Sequence, residues 1–307
     1  MRLLITGSSG LIGTNVALAM QSRGHDVVGV DLRPNTWTDR IPTTQADLTR
    51  DSLDAFTGQQ LDAVFHCAAN AKVFELVQNP QRAMDNITTA FNVLDFCRRR
   101  RVPFVFASSR EVYGDIHRHV TDEAAADFVV AESPYSASKI AGEALVYSYA
   151  QCYGLPHLVF RFSNVYGRYD NDLERMERVI PLFIRRIADD QPIVVYGRQK
   201  VLDFTYIDDC VSGIVAGIDA LTAGRIKNQT INLATGRGYT LEDMVNMIGM
   251  ALGKQPRAVY EPSRAGEVTR YVADIARARQ LLSYDPQTPL SAGLLKAIEW
   301  HRQTGFI

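Results

Sequence analysis

The sequence predicts an α/β protein: a doubly wound parallel sheet with a smaller C-terminal substrate-binding lobe. Three observations lead there. Short, apolar, β-rich runs alternate with helical patterns through the first half of the 307-residue chain; a glycine-rich turn joins the first run to the first helix; and the pattern changes after about residue 165. Continuous apolar runs spaced by helices suit a parallel sheet covered on both faces, because neither side of such strands meets water.

The first strand is Leu3-Leu4-Ile5-Thr6, and the first helix carries Val16, Ala17, Leu18, Ala19 and Met20. Strands follow at Asp26 to Asp31 and at Ala63 to His66. Helical spacing of Phe91, Val93, Leu94 and Phe96 ends in the basic run Arg98 to Arg101, where cations favour the negative end of the helix dipole. Phe104 to Ala107 and Leu158 to Phe162 supply two more strands, with a helix starting near Ser133-Pro134 between them. Then come a polar stretch from Gly167 to Arg178, a helix around Ile180 to Ile187, and shorter strands separated by Gly and Pro. The expected division is 1–165 for the first domain and 166–307 for the lobe. Phe204 to Ile207 and Thr230 to Leu233 are strand-like enough to return to the main sheet, so strands near 203–212 and 229–235 are expected to join the two.

Composition narrows the function classes. Lysine plus arginine (33) nearly balances aspartate plus glutamate (34), so the surplus that neutralises a nucleic-acid backbone is missing and no nucleic-acid partner is expected. Cys67, Cys97, Cys152 and Cys210 lie far apart without a Cys-x-x-Cys pair, which signals neither a metal site nor a disulfide framework and fits a reducing cytoplasm. The apolar N-terminus holds Gly7, Gly10 and Gly13 and lacks a basic leader, unlike a secretion signal. No segment is long and apolar enough to span a bilayer, so no membrane association is expected.

The turn Thr6-Gly7-Ser8-Ser9-Gly10-Leu11-Ile12-Gly13 lies between a strand and a helix. Its glycines let backbone approach a pyrophosphate, and the helix start at Leu11, Ile12 and Gly13 stabilises that charge. The next strand ends at Asp31, at the spacing where an acid accepts hydrogen bonds from the ribose hydroxyls of NAD and repels the extra phosphate of NADP. NAD is therefore the expected cofactor. Asp47 and Leu48 are expected near an adenine edge, and Ala68, among small residues after the third strand, admits the cofactor; His66 is assigned no chemical role.

Ser133-Pro134-Tyr135-Ser136-Ala137-Ser138-Lys139 reads as a helix start that puts Tyr135 and Lys139 on one face. Bringing a phenol from about 10 to near neutrality takes roughly 4 kcal/mol of electrostatic stabilisation, which an ammonium and a positive nicotinamide ring can supply together. Ser108-Ser109 closes the fourth strand, at the carboxyl edge where ligands bind in open α/β sheets.

With these residues in place, nearly the whole chain resembles the extended short-chain dehydrogenase/reductase family, in particular its nucleotide-sugar epimerases and dehydratases of the UDP-glucose 4-epimerase kind. Thr6 to Gly13 matches that family's TGxxGxxG loop, Ser109 in Ser108-Ser109-Arg110-Glu111-Val112-Tyr113-Gly114 matches its catalytic Ser/Thr, and Tyr135 and Lys139 complete the triad. Asn86 resembles the helix asparagine that supports the site. The resemblance implies a Rossmann fold and a mechanism in which Tyr135 removes a sugar hydroxyl proton, Ser109 hydrogen-bonds the same oxygen, hydride moves to NAD, and Lys139 holds the nicotinamide ribose. It further implies that Asn164 and Arg264 bind the substrate diphosphate and that Val179 borders the nucleotide base.

Two departures from the family pattern stand out. Leu202 occupies the place of a phosphate-binding arginine, with Arg198 and Lys200 slightly upstream as candidates for that role. Glu111 stands where sugar dehydratases and glucuronate decarboxylases often carry glutamate, so it is read either as a proton-abstracting group or as a partner of Arg110 or solvent. The leading function is an NAD-dependent 4-epimerase acting on a UDP-hexose or UDP-hexuronate through a 4-keto intermediate. A dehydratase or decarboxylase using Glu111 is the second reading. A non-catalytic NAD-binding module is the third, and the intact Ser109, Tyr135 and Lys139 set argues against it; an NADPH ketone reductase conflicts with Asp31. Helical stretches near 85–100 and 135–150 resemble those through which relatives dimerise, so a homodimer is expected.

Overall fold

The computed structural model describes residues 1–56, 58–113, 131–174 and 178–307. With strands numbered in chain order, β1 (Arg2–Thr6), β2 (Asp26–Asp31), β3 (Thr43–Gln45), β4 (Ala63–His66), β5 (Phe104–Ser109), β6 (His157–Phe162) and β10 (Gln229–Leu233) form one parallel sheet. Their spatial order is β10, β6, β5, β4, β1, β2, β3. Alternation along each strand feeds two separate cores. Leu3, Ile5, Phe65, Val105 and Phe160 pack into one, with Val16 of α1 (Leu11–Ser22) and Ile214 of α6 (Ile207–Thr222). Leu4, Val64, Phe104 and Val159 pack into the other, with Val93 of α3 (Gln81–Arg100) and Val146 of α4 (Pro134–Tyr153). Both faces are thus dry, as the continuous apolar runs require.

Sheet order reverses between β1 and β4, whose last residues, Thr6 and His66, are in register. That switch point opens a crevice at the carboxyl ends of the strands. β5 runs beside β4 and carries Ser109 to the same edge. The Ser133 hydroxyl caps α4 by accepting the Ser136 N–H at 3.1 Å, and Pro134 takes the first helical position, so Tyr135 sits in the opening turn.

The later strands depart from expectation in one respect. Thr230 to Leu233 lies in β10 and pairs with β6, whereas Phe204 to Tyr206 does not reach the main sheet and Ile207 opens α6. The physical reason is competition: β10 occupies the edge of β6, and β9 (Val201–Tyr206) instead organises a second sheet. β7 (Asn164–Tyr166) and β13 (Arg270–Tyr271) pair with β9 in parallel, and β11 (Gly238–Thr240) pairs with it antiparallel. The Asp203 carboxylate holds this arrangement by accepting the N–H groups of Thr235 at 2.9 Å and Gly236 at 2.8 Å. β8 (Ile193–Tyr196) pairs with β12 (Ala258–Glu261). Five further α-helices lie among the described residues: α2 (Val73–Gln78), α5 (Val179–Ala188), α7 (Leu241–Leu252), α8 (Ala276–Leu282) and α9 (Leu290–Gln303).

Candidate active site

The glycine turn is built by close backbone approach. Gly7 has a φ of +77°, and a Cβ there would lie 2.7 Å from the Ala68 nitrogen; a Cβ on Gly13 would lie 2.1 Å from the Gly7 carbonyl oxygen. No side chain caps α1 behind Gly10, so its first N–H groups, at Leu11 and Ile12, are left for an anion. Asp31 is buried at the end of β2 and accepts the N–H groups of Ser9 and Arg33, each at 3.0 Å. The following loop folds back over the turn: Asn35 donates to the Ser8 carbonyl at 3.1 Å, and the Trp37 indole donates to the Ser9 carbonyl at 3.1 Å. These residues fit a dinucleotide, with a glycine cradle, an open helix N-terminus and an acid beside it.

Around that turn, the remaining residues divide into those at the crevice and those that support it. Ala68 touches Gly7 through backbone. Asp47 turns to its own loop, accepting the Thr49 hydroxyl at 2.7 Å and the Thr49 N–H at 3.0 Å, bonds that hold its carboxyl below the usual range. Leu48 is buried, and its carbonyl accepts from Asn92 at 2.8 Å. The His66 ring meets the Thr6 hydroxyl at 2.6 Å, and burial pushes its pKa down to about 3, as befits a neutral structural histidine.

Ser109, Tyr135 and Lys139 come together at the end of β5. The Ser109 hydroxyl lies beside the Tyr135 phenol and favours its ionised form. Burial pushes that phenol up to about 12; the Ser109 hydroxyl and the guanidinium groups of Arg178 and Arg110 pull it back, while the Glu111 carboxylate opposes them. Lys139 lies one turn along α4, with its ammonium 5.7 Å from the Tyr135 ring centroid and donating to the Ala107 carbonyl at 2.8 Å. Burial pushes the ammonium down to about 8. Asn86 supports the site from α3: its amide accepts the Asn70 N–H at 2.7 Å and donates to the Ser138 hydroxyl at 3.2 Å, tying the loop after β4 to α4.

Glu111 is buried in a one-turn 3-10 helix, Arg110–Tyr113, and pairs with Arg110 at 2.9 Å. Burial pushes its carboxyl up and Arg110 opposes this. Gly114, the last residue of that motif, lies outside the described residues. Asn164 faces the same pair, accepting from Arg110 at 3.3 Å and donating to the Asp203 carbonyl at 3.0 Å. Arg264 lies with its guanidinium 3.8 Å from the Tyr196 ring centroid and 5.0 Å from that of Phe74. Val179 opens α5, next to Arg178.

Arg198 is held apart from this group. Its guanidinium binds Glu242 on α7, stacks at 4.8 Å on Tyr260, and is half-exposed. Four contributors were not singled out from the sequence. Arg178 pairs with Asp170 at 3.2 Å and acts on the Tyr135 phenol. Glu143, one turn beyond Lys139, accepts from the Ser108 hydroxyl and from Arg161 at 3.0 and 2.7 Å. Trp37 and Asn35 close over the glycine turn; only the spacing of Glu143 from Lys139 on one helix face could have singled out any of them.

Comparisons with known proteins place the chain in a family. The model of the NAD-dependent epimerase/dehydratase family matches residues 3–234. An uncharacterised UDP-glucose epimerase of Bacillus subtilis is 29% identical over 98% of each chain. Among solved structures, UDP-glucose 4-epimerase of Thermotoga maritima with UDP-glucose is 27% identical, with a TM-score of 0.91 over 99% of each chain. UDP-glucuronic acid 4-epimerase of Bacillus cereus, in complex with UDP-glucuronic acid and NAD, is 26% identical, with a TM-score of 0.89 over 99% of this chain and 100% of that one. With a glycine turn, a buried acid ending β2 and a Ser-Tyr-Lys cluster on one sheet edge, and with that family match across three quarters of its length, the chain belongs to the NAD-dependent epimerase/dehydratase family.

Proposed function

We propose that the chain is an NAD-dependent UDP-sugar 4-epimerase, acting on a UDP-hexose or UDP-hexuronate through a 4-keto sugar. The observation that carries this reading is the convergence of Ser109, at the end of β5, with Tyr135 and Lys139 on one face of α4, where the Lys139 ammonium lies 5.7 Å from the Tyr135 ring centroid, beside the switch point between β1 and β4. The glycine turn from Gly7 to Gly13 and Asp31 hold the dinucleotide, with Ala68 beside them and Asp47 and Leu48 on the adenine side. NAD, when bound, supplies the acceptor and then the donor of a hydride at the sugar carbon, together with a positively charged ring. Tyr135 takes the proton of the 4-hydroxyl, Ser109 holds the same oxygen, and Lys139 holds the nicotinamide ribose. The oxidised sugar presents its opposite face before Tyr135 returns the proton.

The main sheet and residues up to 165 serve the dinucleotide in this reading, and residues 166–307 mainly the nucleotide sugar, through Asn164 at the boundary, Val179 and Arg264. A homodimer through α3 and α4 is supported by the exposed apolar side chains of Met84, Phe91 and Tyr147. A cytoplasmic location accords with four free cysteines. Among the described residues, no helix is long and apolar enough to cross a membrane.

Incubation with UDP-glucose, UDP-glucuronate and UDP-N-acetylglucosamine, read by proton NMR, should yield C4 epimers of at least one. Unchanged sugars throughout, or a dehydrated or decarboxylated product, would overturn the proposal.

A further inference from the structure

Resting on that reading, in which a nucleotide sugar lies across the Tyr135 site, we propose that Arg110 is a substrate-binding residue. Its free Nη1 donates to an anionic oxygen of the substrate, and Glu111 is the positioning residue that anchors it rather than a proton-abstracting base.

The cations around the site differ in what each has left to give. Arg198 is committed to Glu242, and Lys200 to Glu267 at 2.5 Å. Arg161 is spent on Glu143, Lys139 donates to the Ala107 carbonyl, and Arg178 pairs with Asp170. Arg264 has aromatic faces and no carboxylate partner among the described residues. Arg110 is half-committed: Nη2 serves both Glu111 Oε1 and Asn164 Oδ1, while Nη1 is buried with no hydrogen-bond partner. A buried charged donor without an acceptor is costly, and native interiors rarely tolerate one.

The guanidinium is also fixed in place. Glu111, 5% exposed at its side chain, holds one end. Asn164 is itself anchored on the Asp203 carbonyl, and the Tyr271 ring lies 5.7 Å from the Arg110 Cζ. A planar fork clamped at one end presents its other end as a preset donor, the geometry that suits a phosphate or carboxylate oxygen. Glu111 Oε2 is likewise buried without a partner, and a substrate hydroxyl is a donor that satisfies it. The charged groups around Glu111 are Arg110 in its own turn, Glu267 and Lys200 from the second lobe, and Glu132 before α4.

The anionic oxygen has two possible sources, the diphosphate or a sugar carboxylate, and binding measurements on NAD-loaded protein separate them. Calorimetry with UDP, UDP-glucose and UDP-glucuronate is run on the wild type, on Arg110→Lys, which keeps the charge and loses the fork, and on Arg110→Met/Glu111→Gln, which strands neither partner. Loss of a charge-assisted hydrogen bond predicts Kd weakened by about 10- to 100-fold in the double variant. Equal weakening for all three ligands assigns the diphosphate; weakening confined to UDP-glucuronate assigns the carboxylate. Wild-type Kd for all three ligands in both variants, with native circular dichroism, overturns the proposal. A wild type that binds none of the three instead defeats the epimerase reading itself. For Glu111→Gln alone, KM rises and kcat stays within about tenfold, whereas a lost general base costs about 10²- to 10⁴-fold. A collapse of kcat on that scale at unchanged KM removes the anchoring role.

Discussion

Replacing Glu143 by Gln tests how the reaction centre is held together. Glu143 lies on α4 one turn beyond Lys139, and its carboxylate accepts from Arg161 Nε and Nη2, from the Ser108 hydroxyl and from the Tyr147 hydroxyl at 2.9 Å. Both side chains of the ion pair are 5% exposed, so solvent screens little of their attraction. Removing one partner of such a pair leaves the other charge buried and uncompensated, at a cost of about 3–5 kcal/mol. Glutamine still accepts one hydrogen bond, which puts the expected loss near the lower end, about 3 kcal/mol. At roughly 2–4 °C per kcal/mol for chains of this general size, Tm should fall by about 6–12 °C in a circular-dichroism melt. Because Ser108 precedes Ser109, kcat should fall with little change in KM. The double variant Glu143→Gln/Arg161→Met removes both charges and should recover part of the lost stability, a coupling that independent sites do not show. A loss below about 1 kcal/mol in the single variant, or strict additivity in the double, would refute the claim that this pair holds β6 against α4.

Three further outcomes follow from the same geometry. His66 is neutral and buried with a pKa of about 3, so the unfolded chain binds its proton at higher pH; stability is complete above about 6.5 and declines as pH falls, by roughly 2 kcal/mol at pH 5 from this group. His66→Gln should flatten that part of a urea-denaturation series, leaving the contributions of His301 and His157, both also lowered by burial; an unaltered slope would show that His66 is not the titrating group. Gly13→Ala forces a Cβ to within 2.1 Å of the Gly7 oxygen, so the purified variant should carry little NAD, and wild-type nucleotide content on denaturation would contradict the turn geometry. Arg198→Ala should leave KM for the UDP-sugar within about threefold, because an exposed pair contributes at most about 1 kcal/mol and this one points to Glu242; a much larger rise would return Arg198 to the substrate site.

Much of the site was legible because its signals are local. Strand ends at Thr6, Asp31, His66 and Ser109 follow from short apolar runs, and the four-residue step from Tyr135 to Lys139 follows from one helix. What escaped the sequence is the choice of partner. β9 left the main sheet because β10, which comes later in the chain, fills the edge of β6. Arg198 looked available by nearness to Leu202, yet it meets Glu242 on α7. Lysine was expected to govern the Tyr135 phenol. Beside Lys139, whose ammonium lies 5.7 Å from the ring centroid, Arg178, Arg110 and Glu111 also act on that phenol, brought there by a loop and a 3-10 turn with no periodicity to betray their contacts.

The most direct measurement is the turnover of Tyr135→Phe against wild type, with NAD content and UDP-sugar affinity measured on the same samples. Phenylalanine keeps the buried ring of Tyr135 and removes only the phenol oxygen, so fold, cofactor and affinity should stay near wild type while kcat falls by about 10²- to 10⁴-fold or more. A phenylalanine variant that interconverts the C4 epimers at close to the wild-type rate would contradict the assignment of proton transfer to Tyr135, and with it the account of this site.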